Sequence, residues 1–192
     1  MFLQKLRNET DPHHRALEQN SLSASLMDEK VSQEDLAVYL EKLYGFVQPF
    51  ETRFYPRLKE VITDLEERKK ARVLQSDLSA LGKNDPDAIK KIDAASFNRI
   101  YPDLPSLVGG LYVLEGSVLG GAIIHRHLVA RLGEQGNTQY FPVYGNEISK
   151  KWKGFMQQLE AYATEEHEEK IIEGAKQTFV LLDEWFGREM KL

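Results

Sequence analysis

Two stretches of this chain carry residue types and spacings suited to chemistry. The first is Leu111–Gly133, LYVLEGSVLGGAIIHRHLVARLG, a helical pattern with Gly116, Gly120 and Gly121 inside it. Each interior glycine costs a helix about 1 kcal/mol relative to alanine. Gly116 and Gly120 are four residues apart and so share nearly one face. A bare face lets something flat approach the backbone, and clustered glycines let a helix bend. Tight packing against another helix would use the same bareness. The choice between the two rests on whether another element offers a ligand-bearing face.

The N-terminal stretch LRNETDPHHRALEQN offers one. Arg7, Thr10, Leu17 and Glu18 stand at offsets −7, −4, +3 and +4 from His14, which places all five on one helical face. His14 there can hold a metal centre. Glu18, one turn on, can accept a hydrogen bond from the other ring nitrogen, directly or through water, and so orient it. Arg7 is roughly 10 Å back along the axis, within reach of a carboxylate on the same ligand. His13 is about 100° away round the helix and is expected against solvent or a neighbouring helix. His125 and His127 are two apart, on different faces, and are not a metal pair.

These residues fall into motifs. L-R-x-x-T-x-x-x-H-x-x-L-E, from Leu6 to Glu18, resembles the proximal helix of heme oxygenases. Y-V-L-E-G-S-x-L-G-G, from Tyr112 to Gly121, resembles their distal helix in its bacterial, biliverdin-producing form. E-G-A-K-Q-T-F-x-L-L, from Glu173 to Leu182, resembles the C-terminal helix that covers the heme. The three stand in the family's order and at similar spacing, so the likeness spans nearly the whole chain.

The resemblance implies heme as both cofactor and substrate, with His14 as the iron ligand. Gly116, Gly120 and Gly121 would form the distal surface, with room for O2 over the iron. Many family members carry an aspartate after the first distal glycine. Here that position is Ser117, the residue often found there in bacterial members. Arg7 and Tyr112 match family positions near the heme carboxylates. Lys153 is placed there by a weaker alignment. Phe179 matches an aromatic residue that packs on the ring and would equally serve as core. The products would be biliverdin, carbon monoxide and ferrous iron. A non-catalytic heme-binding or heme-sensing protein would share all these residues, and a helical interaction module without heme would use the glycines for packing alone.

The chain has no nicotinamide or flavin fingerprint, because Gly109-Gly110 and Gly120-Gly121 do not form the required pattern after a strand. The resemblance therefore implies a separate electron donor, a ferredoxin or flavodoxin with its reductase. With no cysteine, disulfides, thiolate zinc, iron–sulfur clusters, thiolate-ligated heme and cysteine nucleophiles are all excluded. The thiaminases of similar helical fold that use a cysteine nucleophile are excluded with them. A net charge of −5 disfavours nucleic acid as a partner. No apolar run approaches the roughly 20 residues of a membrane span. Phe2 and Leu3 are followed by Gln4, Lys5 and Arg7, which is no secretory segment, so a cytoplasmic location is expected.

The elements that position these residues are expected to be all α-helical: one heme-oxygenase-like bundle over residues 1–192, with a glycine-kinked distal helix. A first helix covers about residues 1–20, with a possible restart at Asp11 and Pro12. Residues 21–31 form a loop or short turn. Ser32 and Asp35 read as a capping box opening a helix through Tyr44. Gly45 and Pro49 mark a bend before a helix from Phe50 to about Val61. Leu65–Gly82 is amphipathic, with Val73, Leu74, Leu78 and Leu81 inward and the EERKK run solvated. Asn84, Asp85 and Pro86 begin a short polar segment with room for one helical turn. The distal helix runs from about Ser106 to Leu132 and stops at Gly133, Gly136 and Asn137. Thr138–Gly145 is irregular. Helices Ile148–Tyr162 and Lys170–Glu189 complete the chain, with His167 in an exposed turn between them.

Overall fold

The computed structural model describes residues 1–187, and the described part is helical, with no strand. Among the described residues nine α-helices follow one another: α1 Phe2–Gln19, α2 Ser21–Ser25, α3 Gln33–Leu58, α4 Ala71–Ala80, α5 Ala94–Ile100, α6 Leu104–Gly116, α7 Gly121–Leu132, α8 Ile148–Tyr162 and α9 Glu165–Gly187. Glu189, the expected end of the last helix, lies outside the described residues. One contiguous core joins all of them, with Leu6, Phe50, Leu107, Leu111, Phe155, Ile171 and Trp185 buried in it.

α9 organises the bundle, packing along both α6 and α1. Its contact with α6 is backbone against backbone. A Cβ built on Gly109 would lie 2.1 Å from the Ile171 carbonyl oxygen, and one on Gly174 would lie 2.0 Å from that of Ser106. Neither neighbour is a flexible side-chain tip, so the helices would have to part. Gly174→Ala is therefore expected to lower stability by at least about 2 kcal/mol, despite alanine's better helix propensity. Urea unfolding measures this directly. At the other end of α1, the Asn20 side-chain amide donates to the Asp183 carboxylate at 2.7 Å and to its carbonyl at 3.2 Å, fastening α1 to α9.

Several boundaries differ from expectation, each for a tertiary reason. α1 runs unbroken through Pro12. Pro12 and Asn8 are both exposed, so water can serve the Asn8 carbonyl that the missing N–H leaves unpaired. α3 opens on the expected Ser32–Asp35 capping box but continues through Gly45 and Pro49 to Leu58. Pro49 cannot donate to the Gly45 carbonyl, and the Ile92 amide does so instead at 2.9 Å. Gly45 lets that segment close in, for a Cβ there would meet the Lys90 carbonyl oxygen at 2.3 Å.

The helix expected over Leu65–Gly82 is a 3-10 turn, Leu65–Arg68, followed by α4. Leu74 and Leu78 are core, while Val73 and Leu81 are half-buried. The EERKK run is not a solvated face throughout, since Arg68 and Lys70 are buried. The polar segment expected to hold at most one helical turn is followed by α5, seven residues long. His167 belongs to the first turns of α9, with its ring stacked on Tyr162 at 4.5 Å. The single kinked helix expected from Ser106 to Leu132 is two helices, α6 and α7, joined by residues 117–120 and bent by 40°. Among the described residues, no single helix is long and apolar enough to cross a membrane.

Candidate functional site

The continuity of α1 fixes the first half of the site. Pro12 does not turn the helix, so Arg7, Thr10, His14, Leu17 and Glu18 keep their common face. Thr10 is the buried member at 3% exposure, and its hydroxyl donates to the Leu6 carbonyl at 2.8 Å. Tyr112 on α6 lies beside Thr10 and near Arg7. Burial pushes its hydroxyl above the ordinary tyrosine value, and Thr10 and Arg7 offset part of that rise. This contact joins α1 to α6 through the very residues the two motifs supply.

His14 is 51% exposed at its side chain. Its ring meets Phe179 of α9 edge to face, with centroids 5.6 Å apart. Glu18 Oε2 lies 3.8 Å from His14 Nδ1, too long for a direct hydrogen bond and right for one small adjustment or a bridging water. His14 thus has an apolar wall on one side and an acceptor facing Nδ1, which leaves Nε2 to coordinate. His13 is half-buried and carries no such pair.

At the α6–α7 junction the glycines divide. A Cβ on Gly120 would meet nothing within 4 Å, and one on Gly116 only Trp152, at an ordinary contact distance of 3.8 Å. Both glycines therefore present bare backbone to open space. Gly121 does not: a Cβ there would fall 2.0 Å from the Phe141 carbonyl oxygen. Gly121 is a packing glycine, which corrects its expected place on the distal surface. Ser117 caps the end of α6 and its hydroxyl donates to the Leu114 carbonyl at 2.8 Å. The buried Tyr140 hydroxyl is 3.1 Å away and donates to Ser117 Oγ, whose own proton is engaged.

Trp152 of α8 packs on Tyr112 with ring centroids 5.8 Å apart and is the neighbour of the Gly116 Cβ position. Sequence reasoning passed over it, although its spacing from Met156 and Leu159 marks it as part of an inward face. Lys153, next to Trp152, is exposed and, among the described residues, makes no ion pair or hydrogen bond.

Behind Gly116 lies a buried ionic cluster that sequence reasoning also missed. Glu115 is 1% exposed and pairs with Arg68 at 2.6 Å and with Lys70. The Tyr144 hydroxyl donates to the same carboxylate at 3.0 Å. Arg68 further pairs with Asp64 at 2.7 Å. Burial alone would lower the Arg68 pKa, but Asp64 and Glu115 more than offset it and hold the guanidinium above its ordinary value. Burial, then Glu115, pushes the Tyr144 hydroxyl up as well.

α1 thus presents an exposed nitrogen donor beside Phe179, and the α6–α7 turn presents bare backbone at Gly116 and Gly120. Solved structures share the fold. Heme oxygenase from Leptospira interrogans is 21% identical with a TM-score of 0.80, the match covering 96% of this chain and 98% of that one. Heme oxygenase-1 from the cyanobacterium Synechocystis, solved in complex with heme, is 18% identical with a TM-score of 0.78, covering 96% and 90%. The Neisseria meningitidis heme oxygenase is 24% identical with a TM-score of 0.70, covering 100% and 95%. No curated protein matches the chain. The sequence model of the heme oxygenase family, however, matches residues 1–188. That match runs through the proximal, distal and C-terminal motifs alike, and by it the chain belongs to the heme oxygenase family, the enzymes that degrade heme.

Proposed function

We propose that heme is seated in a cleft between α1 and the α6–α7 turn, with His14 Nε2 as the iron ligand, and that the ring is opened there. The observation that carries this reading is the pairing of exposed His14, walled by Phe179, with bare backbone at Gly116 and Gly120. The residues fit the group: the ring needs apolar contact and a nitrogen donor, and its carboxylates need cations at the open edge. Arg7 and Lys153 are the cations, and Tyr112 adds a hydroxyl. Bound heme supplies the chemistry itself, since its iron activates O2 and its ring is the substrate opened to biliverdin, carbon monoxide and ferrous iron.

The chain's own residues then have limited tasks. His14 binds, and Glu18 orients its ring. Phe179 and Trp152 exclude water from the edges they cover. Gly116 and Gly120 keep side chains out of the space needed by O2. Ser117 Oγ accepts a hydrogen bond from the Tyr140 hydroxyl and donates one to the Leu114 carbonyl, which leaves it a lone pair for one ordered water near the distal face. Electrons come from a separate protein, a ferredoxin or flavodoxin with its reductase, and the setting is cytoplasmic. Family membership disfavours the non-catalytic heme-sensing reading and the heme-free interaction module.

Hemin-loaded protein supplied with a ferredoxin and its reductase is expected to release biliverdin. Ascorbate in place of the protein donor is expected to give slower turnover with the same product. Dependence on neither reductant would overturn the proposal. Glu18→Gln keeps the size and an acceptor oxygen but removes the charge. It is expected to shift the iron–histidine stretching band in resonance Raman and to slow turnover by about tenfold, with heme still bound. An unmoved band would show that Glu18 does not touch the ligand.

A further inference from the structure

Glu115 immediately precedes Gly116, and it is the point at which the buried ionic cluster grips α6. Its Oε2 accepts from Arg68 Nη1 at 2.6 Å, its Oε1 accepts from Lys70 Nζ, and both oxygens face the Tyr144 hydroxyl. The Arg68 side chain is wholly enclosed. Its remaining donors go to Asp64 at 2.9 and 2.7 Å and to the Lys151 carbonyl at 3.1 Å. Lys151 stands in the first turn of α8, next to Trp152. One guanidinium therefore holds, one layer behind the cleft, the helix that carries Gly116 and the helix that carries Trp152. At the surface of the cleft the same two helices face each other, with Trp152 in contact range of the Gly116 Cβ position.

A buried ion pair is a costly way to fill space, because both charges must leave water, and apolar residues of like volume commonly serve stability as well or better. What a rigid fork of donors adds is geometry, with directions fixed to three acceptor groups at once. We infer that Arg68, acting through Glu115 and the Lys151 carbonyl, is a positioning residue that sets the separation of the distal backbone from the Trp152 wall and so the seating of the ring. The inference rests on the heme-cleft reading above.

Three variants test it: Arg68→Lys, which keeps the charge but loses the fork; the double variant Arg68→Met with Glu115→Leu, which removes both charges together; and Tyr144→Phe, which takes one hydroxyl from Glu115. In the hemin-free protein, amide hydrogen exchange at residues 116–121 and 150–154 is expected to rise about tenfold in Arg68→Lys, equivalent to about 1.4 kcal/mol of local stability. Tyr144→Phe should move it in the same direction by less. With hemin and reductant, Arg68→Lys and the double variant are expected to change the ratio of biliverdin isomers, which reports how the ring sits and not how much enzyme is folded. The double variant leaves Lys70 without its carboxylate and is expected to unfold at a lower temperature, so its isomer ratio is read well below its own thermal transition. Wild-type exchange and isomer ratio in any of these folded variants would overturn the inference and leave the cluster as filler. If the heme-cleft reading fails instead, hemin does not bind the unmodified protein, and the exchange measurement alone still decides whether Arg68 ties the two helices.

Discussion

Replacing His14 with alanine is expected to abolish the imidazole-ligated ferric spectrum of the hemin complex and reduce turnover to background, while His13→Ala leaves both intact. The two histidines are adjacent in sequence, yet the continuous α1 gives them different surroundings. His14 carries the Phe179 wall and the Glu18 acceptor, and His13 has neither. Absorbance of the hemin-reconstituted variants, with added imidazole as a rescue for His14→Ala, checks the assignment. If His13→Ala is the damaging change, the face drawn along α1 is wrong.

Gly120→Leu is expected to leave the fold within about 0.5 kcal/mol of the unmodified chain, yet to weaken hemin binding by more than a hundredfold. Gly120 has φ −81° and ψ −4°, which any residue adopts, and open space where a side chain would go. Gly120 precedes the first turn of α7, where leucine caps somewhat less well than glycine, a cost within that margin. Only a ligand that needs that space would object, and a clash of about 3 kcal/mol corresponds to that loss of affinity. Gly121→Leu serves as the contrast, because the Phe141 carbonyl leaves it no room and the expected result is unfolding. Hemin titration by fluorescence quenching, beside thermal unfolding, separates the two glycines. Full activity in Gly120→Leu would reduce Gly120 to a packing element.

Spacing made the proximal half of the site legible, because helical periodicity alone sets which α1 residues share a face. The capping box at Ser32 was legible for a similar reason, since both partners lie within one turn. What the sequence hid depends on partners far along the chain. Gly45 and Pro49 look like a break until Ile92 is found serving the Gly45 carbonyl. Gly116, Gly120 and Gly121 look alike until Phe141 is seen against the last of them. Arg68 sits in a charge run that reads as solvated, and its burial becomes intelligible only with Glu115, 47 residues away. Lys153 has no partner among the described residues, so its place rests on alignment alone.

A single-turnover experiment on the hemin complex tests the central claim most directly. The complex is formed without oxygen, O2 and reductant are then added, and the Soret band and released carbon monoxide are followed together. The account predicts that the Soret band decays as verdin absorbance rises in the red, with carbon monoxide equimolar to the heme consumed. Electron delivery with a persistent Soret band and no carbon monoxide would contradict it.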